Sequence, residues 1–253
     1  MGTLDGKVAL ITGAGQGVGE GVAFALAKEG ASIAALGRTK AKVDETVEAI
    51  QALGGTAIAV ECDVAKEDQL SPAVDEVVSA LGGIDILVNN ANYSVLGPIA
   101  QIKRHHVDKA FAVGPLAALS LMQLCYPVMK ERGGGAVINM VTSASVRWDT
   151  SNYGGYAAAK EAMRSLSRAA ASEWGRDNIR VNAVAPHALS PGLKAWTEHN
   201  PEEAAEFVAT IPMGRIGECE QDIGRAVAFL VGPDARYLTG ATIPLDGGQA
   251  RWV

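Results

Sequence analysis

The chain has 253 residues, of which 48% are apolar, and a net charge of −6 at pH 7. This length and composition suit a single α/β domain with a sizeable core, and the scattered basic residues argue against a nucleic-acid or anionic-membrane surface. The three cysteines show neither disulfide nor metal-ligand spacing, so we expect a reducing compartment and no bound metal. Without a signal segment or a long apolar run, the chain is predicted to be cytoplasmic.

The first recognisable unit is a strand, a glycine-rich turn and a helix. Val8–Thr12 is a short apolar run of β-formers, and the helical pattern after the turn closes at Gly30. Glycines let the backbone approach a pyrophosphate, and the helix start presents N–H groups and a positive dipole end to it. The pattern therefore predicts a dinucleotide site that includes Gly13, Gln16, Gly17, Val18 and Gly19.

The end of the second predicted strand, Ser32–Leu36, indicates which dinucleotide binds. An acidic residue there would accept hydrogen bonds from a ribose 2′-hydroxyl, but this chain continues Gly37-Arg38-Thr39-Lys40. Arg38 could instead pair with a 2′-phosphate. We predict a preference for NADP(H), with NAD(H) possible and Thr39 as a neighbouring contact; the alternative is a solvated Arg38 at a helix entry.

Strands and helices alternate along the rest of the chain. Further strands are predicted at 57–60, 84–88, 136–141, 179–186 and within 238–248, and helices at 43–53, 70–81, 107–129, 156–174 and 221–231. Gly114-Pro115 should break or kink the helix predicted over 107–129. The alternation implies a Rossmann-like, doubly wound parallel sheet of about seven strands in one domain, 1–253, with a substrate flap at about 187–215.

Tyr156 and Lys160 lie four apart on a predicted helix and share one face. An ammonium beside a phenol favours the phenolate, so we predict that Lys160 lowers the pKa of Tyr156 and makes it a general acid or base near neutral pH. Tyr126 and Lys130 have the same spacing, but Pro127 follows the tyrosine. We interpret that second pair as packing with a solvated lysine.

Hydroxyl side chains follow the predicted strand at 136–141. Ser143 precedes Tyr156 by 13 residues and could hydrogen-bond a substrate carbonyl; the alternative is a turn serine. Thr142 and Ser145 are the other candidates for this role. The substrate side of the following loop is predicted to be lined by Arg147, Trp148, Asp149 and Tyr153.

Together these features resemble the short-chain dehydrogenase/reductase family over essentially the whole chain. The resemblance is carried by Thr-Gly-x-x-x-Gly-x-Gly at 12–19, Asn89-Asn90-Ala91, Ser143 and Tyr156-x-x-x-Lys160. It implies hydride transfer between a nicotinamide and a small-molecule carbonyl or alcohol, with Tyr156 as acid or base and Lys160 also binding the nicotinamide ribose. It further implies a homotetramer or dimer, and cofactor contacts from Asp63, Val64, Asn90, Ala91, Pro186 and Leu189. From the residues alone, Asp63 could equally cap the next helix.

Three positions depart from the family pattern. Asn92 replaces a glycine, and Gly114 replaces an asparagine credited with holding a water in a proton relay. His187 stands where Pro-Gly is usual, and could pack, touch substrate or take part in the relay. The substrate candidates are therefore Asn92, Ser143, Ser145, Tyr153 and His187. The departures leave two alternatives: a nucleotide-binding protein with weak or no turnover, and an enoyl-thioester reductase.

Overall fold

A computed structural model describes residues 2–147 and 152–252 of the chain. Its centre is a seven-stranded parallel sheet with the strand order β3-β2-β1-β4-β5-β6-β7. The strands are β1 (Val8–Thr12), β2 (Ser32–Gly37), β3 (Ala57–Glu61), β4 (Ile86–Asn89), β5 (Gly135–Met140), β6 (Ile179–Pro186) and β7 (Thr242–Leu245). The predicted fold class is confirmed, and most predicted strand ends lie within one residue of the observed ones.

The strands are apolar runs because helices cover both faces of the sheet. All five residues of β1 are buried, as expected for a central parallel strand. The helices are α1 (Gly17–Lys28), α2 (Lys40–Ala52), α3 (Leu70–Leu81), α4 (Arg104–Phe111), α5 (Ala117–Glu131), α6 (Gly154–Trp174), α7 (Pro191–His199), α8 (Pro201–Ala209) and α9 (Arg225–Val231). Helices α1, α2 and α9 pack on one face, and α3, α5 and α6 on the other.

The order in which successive strands are added to the sheet changes direction between β1 and β4. Strands β2 and β3 lie on one side of β1, whereas β4 to β7 lie on the other. The loops that leave the C-terminal ends of β1 and β4 therefore diverge and open a crevice, which is where ligands bind in sheets of this kind.

The helix is not broken at Gly114-Pro115, where a break or a kink was predicted. Helices α4 and α5 are joined through a π-helical turn at Ala112–Leu116, so that the chain stays helical from Arg104 to Glu131. A π-helical turn has wider hydrogen-bond spacing and carries the helix past the missing proline N–H. This helix is long and apolar enough to cross a membrane, but its buried residues, among them Leu121 and Cys125, pack against the sheet.

The segment predicted as a flap contains helices α7 and α8. Helix α7 begins with Pro191, and the Ser190 side chain accepts a hydrogen bond from the Leu193 N–H at 3.4 Å. The two helices contact each other through Trp196 and Phe207, whose ring centroids are 5.9 Å apart. They follow β6 directly and thus lie beside the crevice.

Candidate active site

A cleft of about 560 Å³ opens at the C-terminal edge of the sheet. Many of the residues predicted from the sequence line it: Gly13, Gln16, Gly17, Val18, Arg38, Thr39, Asp63, Val64, Asn90, Ala91, Asn92, Tyr156, Lys160, Pro186 and His187. The other predicted site residues are not among its lining residues: Gly19, Ser143, Ser145, Tyr153 and Leu189. The sequence pattern thus located the cleft, and the remaining candidates need separate explanations.

The glycine turn has the shape that a pyrophosphate requires. Gly13 has φ +66°, and a Cβ there would lie 3.1 Å from the Cα of Ala91. Gly17 begins α1 with φ +61°, and the N-cap residue Gln16 makes no side-chain capping bond to the first turn. The backbone N–H groups at the start of α1 therefore face the cleft without a protein side chain on them, and a dinucleotide pyrophosphate fits there.

Gly19 allows α1 to pack closely against the glycine turn and does not line the cleft itself. A Cβ at this position would lie 2.3 Å from the Gly13 carbonyl oxygen and 2.5 Å from Asn90 Nδ2. No side chain fits in that space, so glycine lets α1 approach the turn closely.

The predicted Asn89-Asn90-Ala91 segment holds the turn in place. Thr12 Oγ1 accepts hydrogen bonds from the N–H groups of Asn90 and Ala91, both at 2.9 Å. In return Asn90 Nδ2 donates to the carbonyls of Thr12 and Gly13 at 3.0 and 3.2 Å. These bonds join the ends of β1 and β4 across the switch point.

Two positively charged side chains line the end of the cleft next to the C-terminal end of β2. Arg38 is exposed there, and Lys42 in the first turn of α2 lines the same end. Lys42 Nζ donates to Gln16 Oε1 at 2.5 Å, which connects it to the glycine turn. The sequence analysis missed Lys42; its place in the first turn of the helix after Arg38 was the available signal.

Asp63 and Val64 lie in the cleft wall beyond β3. Asp63 Oδ1 accepts the N–H of Ala65 at 3.1 Å and so fixes the turn after the strand. The carboxylate therefore stabilises the local turn while it lines the cleft. It does not cap the following helical turn, whose N-cap residue is Lys66, and its contact with the cofactor stays a prediction.

Tyr156 and Lys160 share a face of α6, and the Lys160 nitrogen lies 5.8 Å from the centre of the Tyr156 ring. Lys160 is buried, and its Nζ donates to the Met140 carbonyl at 2.7 Å. Burial lowers the pKa of Lys160 from 10.5 to about 8. The cleft thus holds a lysine that titrates unusually close to neutral pH.

The predicted lowering of the Tyr156 pKa is wrong. Burial raises the pKa of Tyr156, and a hydrogen bond with the Thr142 hydroxyl opposes the rise without overcoming it. The Lys160 ammonium donates to a backbone carbonyl, and the groups that set the Tyr156 pKa are its burial, Thr142 and Tyr153. The phenol is therefore protonated at neutral pH.

Ser143 is held away from the cleft. Its hydroxyl donates to Asp246 Oδ2 at 2.5 Å, and both side chains are buried. Asp246 also accepts the N–H groups of Gly248 and Ala250, at 3.0 and 3.2 Å. Because a hydroxyl has a single proton, Ser143 in this arrangement has none left for a substrate carbonyl, contrary to the role predicted for it.

Thr142 is the hydroxyl that meets the phenol. Its side chain hydrogen-bonds Tyr156 and accepts the Ala144 N–H at 3.2 Å. Ser145, the other candidate, donates to the Thr142 carbonyl at 2.8 Å and acts as a turn serine. Of the three hydroxyls considered from the sequence, Thr142 is the one that contacts Tyr156, whereas Ser143 and Ser145 bond to other groups.

The remaining substrate candidates lie around the outer part of the site. Tyr153 immediately precedes α6 and is 38% exposed, whereas Leu189 is anchored by its N–H to the Gly217 carbonyl at 2.8 Å. Arg147 lies over the ring of Phe207, with 5.6 Å from the guanidinium carbon to the ring centre. Trp148 and Asp149 lie outside the described residues.

Two residues at the end of β4 form the opposite rim. Asn92 Nδ2 donates to Ser94 Oγ at 2.9 Å, and Asn92 does not adopt the left-handed backbone conformation that would favour glycine. Tyr93, which the sequence analysis did not single out, lines the cleft, and its hydroxyl pairs with His106 Nδ1 at 2.8 Å. No pattern in the sequence links Tyr93 to His106, which lies in α4.

The second Tyr-x-x-x-Lys pair has a different environment. Tyr126 packs on Trp174 at 4.9 Å between ring centres and donates to Asp177 at 2.6 Å. Lys130 is exposed and pairs with the same carboxylate at 2.9 Å. Tyr126 packs as predicted, whereas Lys130 is not simply solvated, because it also donates to the Tyr126 hydroxyl at 3.3 Å. Neither residue lines the cleft, so the pair is an internal control for Tyr156 and Lys160.

The fold and the cleft define a class of protein: a dinucleotide-dependent enzyme with a doubly wound parallel sheet and a tyrosine–lysine pair beside the nucleotide site. Comparison with known proteins gives the family. A family profile described as enoyl-(acyl carrier protein) reductase matches residues 13–250. The 12alpha-hydroxysteroid dehydrogenase of a Clostridium species is 40% identical over 99% of each chain.

Solved structures of similar proteins point to the same family. A 7alpha-hydroxysteroid dehydrogenase in complex with NADH and 7-oxo glycochenodeoxycholic acid superposes with a TM-score of 0.92, at 35% identity over 98% of this chain and 96% of that one. A metagenomic blue fluorescent protein in complex with NADPH gives 0.90, at 32% identity over 98% and 100%. The chain belongs to the short-chain dehydrogenase/reductase family and is an NAD(P)-dependent oxidoreductase.

Proposed function

We propose that this enzyme interconverts a ketone and a secondary alcohol on an alicyclic skeleton of steroid size, with a preference for NADP(H). The observation that carries the proposal is the pairing of Tyr156 with a buried Lys160 in the cleft that the glycine turn opens. The steroid-like skeleton is supported by the hydroxysteroid dehydrogenases to which the chain is similar along its whole length. From the family resemblance we expect the enzyme to work as a homotetramer or dimer.

Tyr156, Lys160 and Thr142 have different roles in the proposed reaction. The bound nicotinamide would supply or take the hydride, held with its pyrophosphate on the turn at Gly13–Gly17. Tyr156 is protonated at neutral pH and can give its proton to a carbonyl oxygen. Lys160 lies close enough to stabilise the phenolate that remains, and Thr142 can hydrogen-bond the same oxygen. Oxidation of an alcohol needs the phenolate as a base, and should therefore accelerate as the pH rises.

A substrate panel tests the proposal. The enzyme is mixed with NADPH or NADH and with 7-oxo and 12-oxo bile acids, a linear ketone of equal carbon number, and crotonyl-CoA, and the oxidation of the cofactor is followed by absorbance. We expect turnover of at least one oxo-steroid, with little on the linear ketone. Cofactor binding without any ketone reduction would overturn the proposal and favour a nucleotide-binding protein without turnover.

The enoyl thioester in the panel addresses a second candidate function. The family profile that matches residues 13–250 is described as an enoyl-(acyl carrier protein) reductase. Activity on crotonyl-CoA alone would assign the enzyme to reduction of carbon–carbon double bonds, whereas activity on oxo-steroids alone would exclude that assignment.

The preference for NADP(H) gives a testable prediction at Arg38 and Lys42. Both cations line the adenosine end of the cleft, where no carboxylate follows β2. Arg38→Ala should raise KM for NADPH by ~10-fold or more and leave KM for NADH nearly constant, because the lost charge-assisted bonds reach only the 2′-phosphate. Lys42→Ala should act in the same direction, and steady-state kinetics with both cofactors measures the difference.

Lys40→Ala is the control for these variants. Lys40 is an exposed lysine of the same segment, but it pairs with Asp44 at 2.6 Å and is not among the residues that line the cleft. It should leave both KM values unchanged. An equal rise in KM for NADH and NADPH in Arg38→Ala would contradict the predicted preference.

Gly114 gives a second prediction. This glycine is buried, and a Cβ built on it meets no atom within 4 Å, so the π-helical turn has room for a side chain. Gly114→Asn restores the amide that relatives are credited with using in a water-mediated proton relay, and should raise kcat severalfold without unfolding the helix. Gly114→Ala is the matched control, since it fills the same space without an amide. Equal kcat values for the two variants would place the relay elsewhere.

A further inference from the structure

The imidazole of His187 is an unsatisfied polar group in the cleft wall. It follows Pro186 at the end of β6 and lines the cleft, and both ring nitrogens are buried without a hydrogen-bond partner among residues 2–147 and 152–252. Among the described residues, the other buried side-chain nitrogen or oxygen atoms without a partner belong to Asn89, Glu161 and Trp252, which are not cleft-lining residues. His187 therefore has hydrogen-bonding capacity that no described protein group uses, in a residue that lines the cleft.

The position of the ring is fixed by its surroundings. The backbone of His187 is held on both sides, by its N–H to the Leu245 carbonyl at 2.9 Å and by its carbonyl to the Gly217 N–H at 3.2 Å. The ring stands edge-on to Phe207 of α8, with centroids 5.2 Å apart and planes at 88°. This aromatic wall leaves the imidazole little freedom to turn out of the cleft.

The imidazole is neutral at physiological pH. Burial and the nearby Arg147 guanidinium lower the pKa of His187, and the Asp246 carboxylate, which raises it, does not reverse the effect. A neutral imidazole has one N–H donor and one nitrogen acceptor. Leaving both unpaired in a buried site is costly, so a ligand group that pairs with either one gains affinity. A hydroxyl group, which both donates and accepts, is suited to each nitrogen.

We propose that His187 is a specificity-determining residue that hydrogen-bonds a second oxygen substituent of the substrate, a hydroxyl carried on the same skeleton as the reacting ketone. The inference rests on the proposed function and adds to it that the preferred substrate is a hydroxylated ketone. The imidazole lies beside Phe207 and close to Arg147, a residue that the sequence analysis assigned to the substrate side of the site. It thus selects the substrate and leaves the chemistry of Tyr156 unchanged.

The test compares one pair of substrates in two forms of the enzyme. The pair is an oxo-steroid acid and its analogue with one additional ring hydroxyl, with the hydroxyl at the 3 or the 7 position in separate experiments. The wild type should favour one hydroxylated member by roughly 10-fold or more in kcat/KM, and His187→Phe should remove this preference. Phenylalanine keeps an aromatic ring beside Phe207 but has no nitrogen.

Two further measurements separate the alternatives. His187→Asn, which keeps a donor and an acceptor, should retain part of the preference, whereas Phe207→Leu should change kcat/KM for both members in parallel. If His187→Phe lowers kcat/KM by the same factor for both members, the ring only packs and the inference is wrong. If no ketone is reduced, the proposed function fails, and calorimetric Kd values for the same pair and the same two enzyme forms, in the presence of NADPH, decide the role of His187: an equal Kd ratio in both forms overturns it.

Discussion

Tyr156→Phe should lower kcat for any accepted ketone by roughly 10²–10⁴-fold, the range typical of losing a positioned general acid. The variant removes one oxygen from a ring that otherwise packs with Val95, Ala110 and Ala159, so the fold should be retained. The loss should appear in kcat rather than in the Kd for NADPH, because in the proposed function the glycine turn, Arg38 and Lys42 hold the cofactor, and all of them line the cleft apart from the phenol.

Tyr126→Phe is the matched control for this variant. It removes the same atom from the other Tyr-x-x-x-Lys pair, where the hydroxyl contacts Asp177 far from the cleft. Single-turnover reduction by stopped flow should be normal in Tyr126→Phe and nearly absent in Tyr156→Phe. A Tyr156→Phe enzyme with wild-type turnover would show that another group, or water, delivers the proton.

The fold could be predicted from the sequence because its signals are local. Each strand is a short apolar run bounded by turn residues, and β1 and β6 begin and end at the predicted residues. The glycine turn was equally readable, since Gly13 and Gly17 have the positive φ values that a tight turn demands. The exception is the helix at Gly114-Pro115, where neighbouring turns and packing maintain a helix that propensity alone would interrupt.

The details of the site depend on contacts between residues distant in sequence. Ser143 has the spacing expected of a substrate-orienting hydroxyl, yet its proton goes to Asp246, which lies 103 residues further along the chain. Lys42 reaches Gln16 across 26 residues. Neither contact has a sequence pattern, because each depends on how loops from different strands meet at the sheet edge.

The direction of the Tyr156 pKa shift shows the same limit in electrostatic terms. The sequence places an ammonium one helical turn from a phenol, which taken alone favours the phenolate. The fold adds two facts: Lys160 is buried and Tyr156 partly buried, and the Lys160 ammonium is directed to the Met140 carbonyl. Desolvation then outweighs the pairing and disfavours both charged forms, so that the phenol pKa rises while that of the lysine falls.

Lys160→Met should therefore stabilise the protein at pH 7 while it removes activity. The pKa of Lys160 falls from 10.5 in the unfolded chain to about 8 in the fold, which corresponds to a destabilisation of ~3 kcal/mol wherever the buried group is charged. Methionine fills a similar volume without charge but leaves the Met140 carbonyl unpaired, at ~1–2 kcal/mol. We expect a net gain of ~1–2 kcal/mol in the free energy of unfolding, and a loss of about 10²-fold or more in kcat/KM.

The pH dependence distinguishes this explanation from a general packing effect. Below about pH 8 the lysine is protonated in both the folded and the unfolded chain, and the destabilisation is complete. Between pH 8 and 10.5 the folded wild type releases the proton that the unfolded chain still binds, so wild-type stability from this residue rises with pH. The advantage of Lys160→Met in urea unfolding should thus be largest at pH 7 and shrink toward pH 10.

Lys130→Met supplies the comparison, because Lys130 has the same spacing from a tyrosine but is exposed and paired with Asp177. It should show no stability gain at pH 7 and keep full activity. Two results would contradict this explanation: a Lys160→Met enzyme that is less stable than the wild type at pH 7, or a stability difference that does not change with pH. Either result would mean that burial of the charged Lys160 does not destabilise the fold. The proposed role of Tyr156 and Lys160 would then have to be explained without a lowered pKa of the lysine.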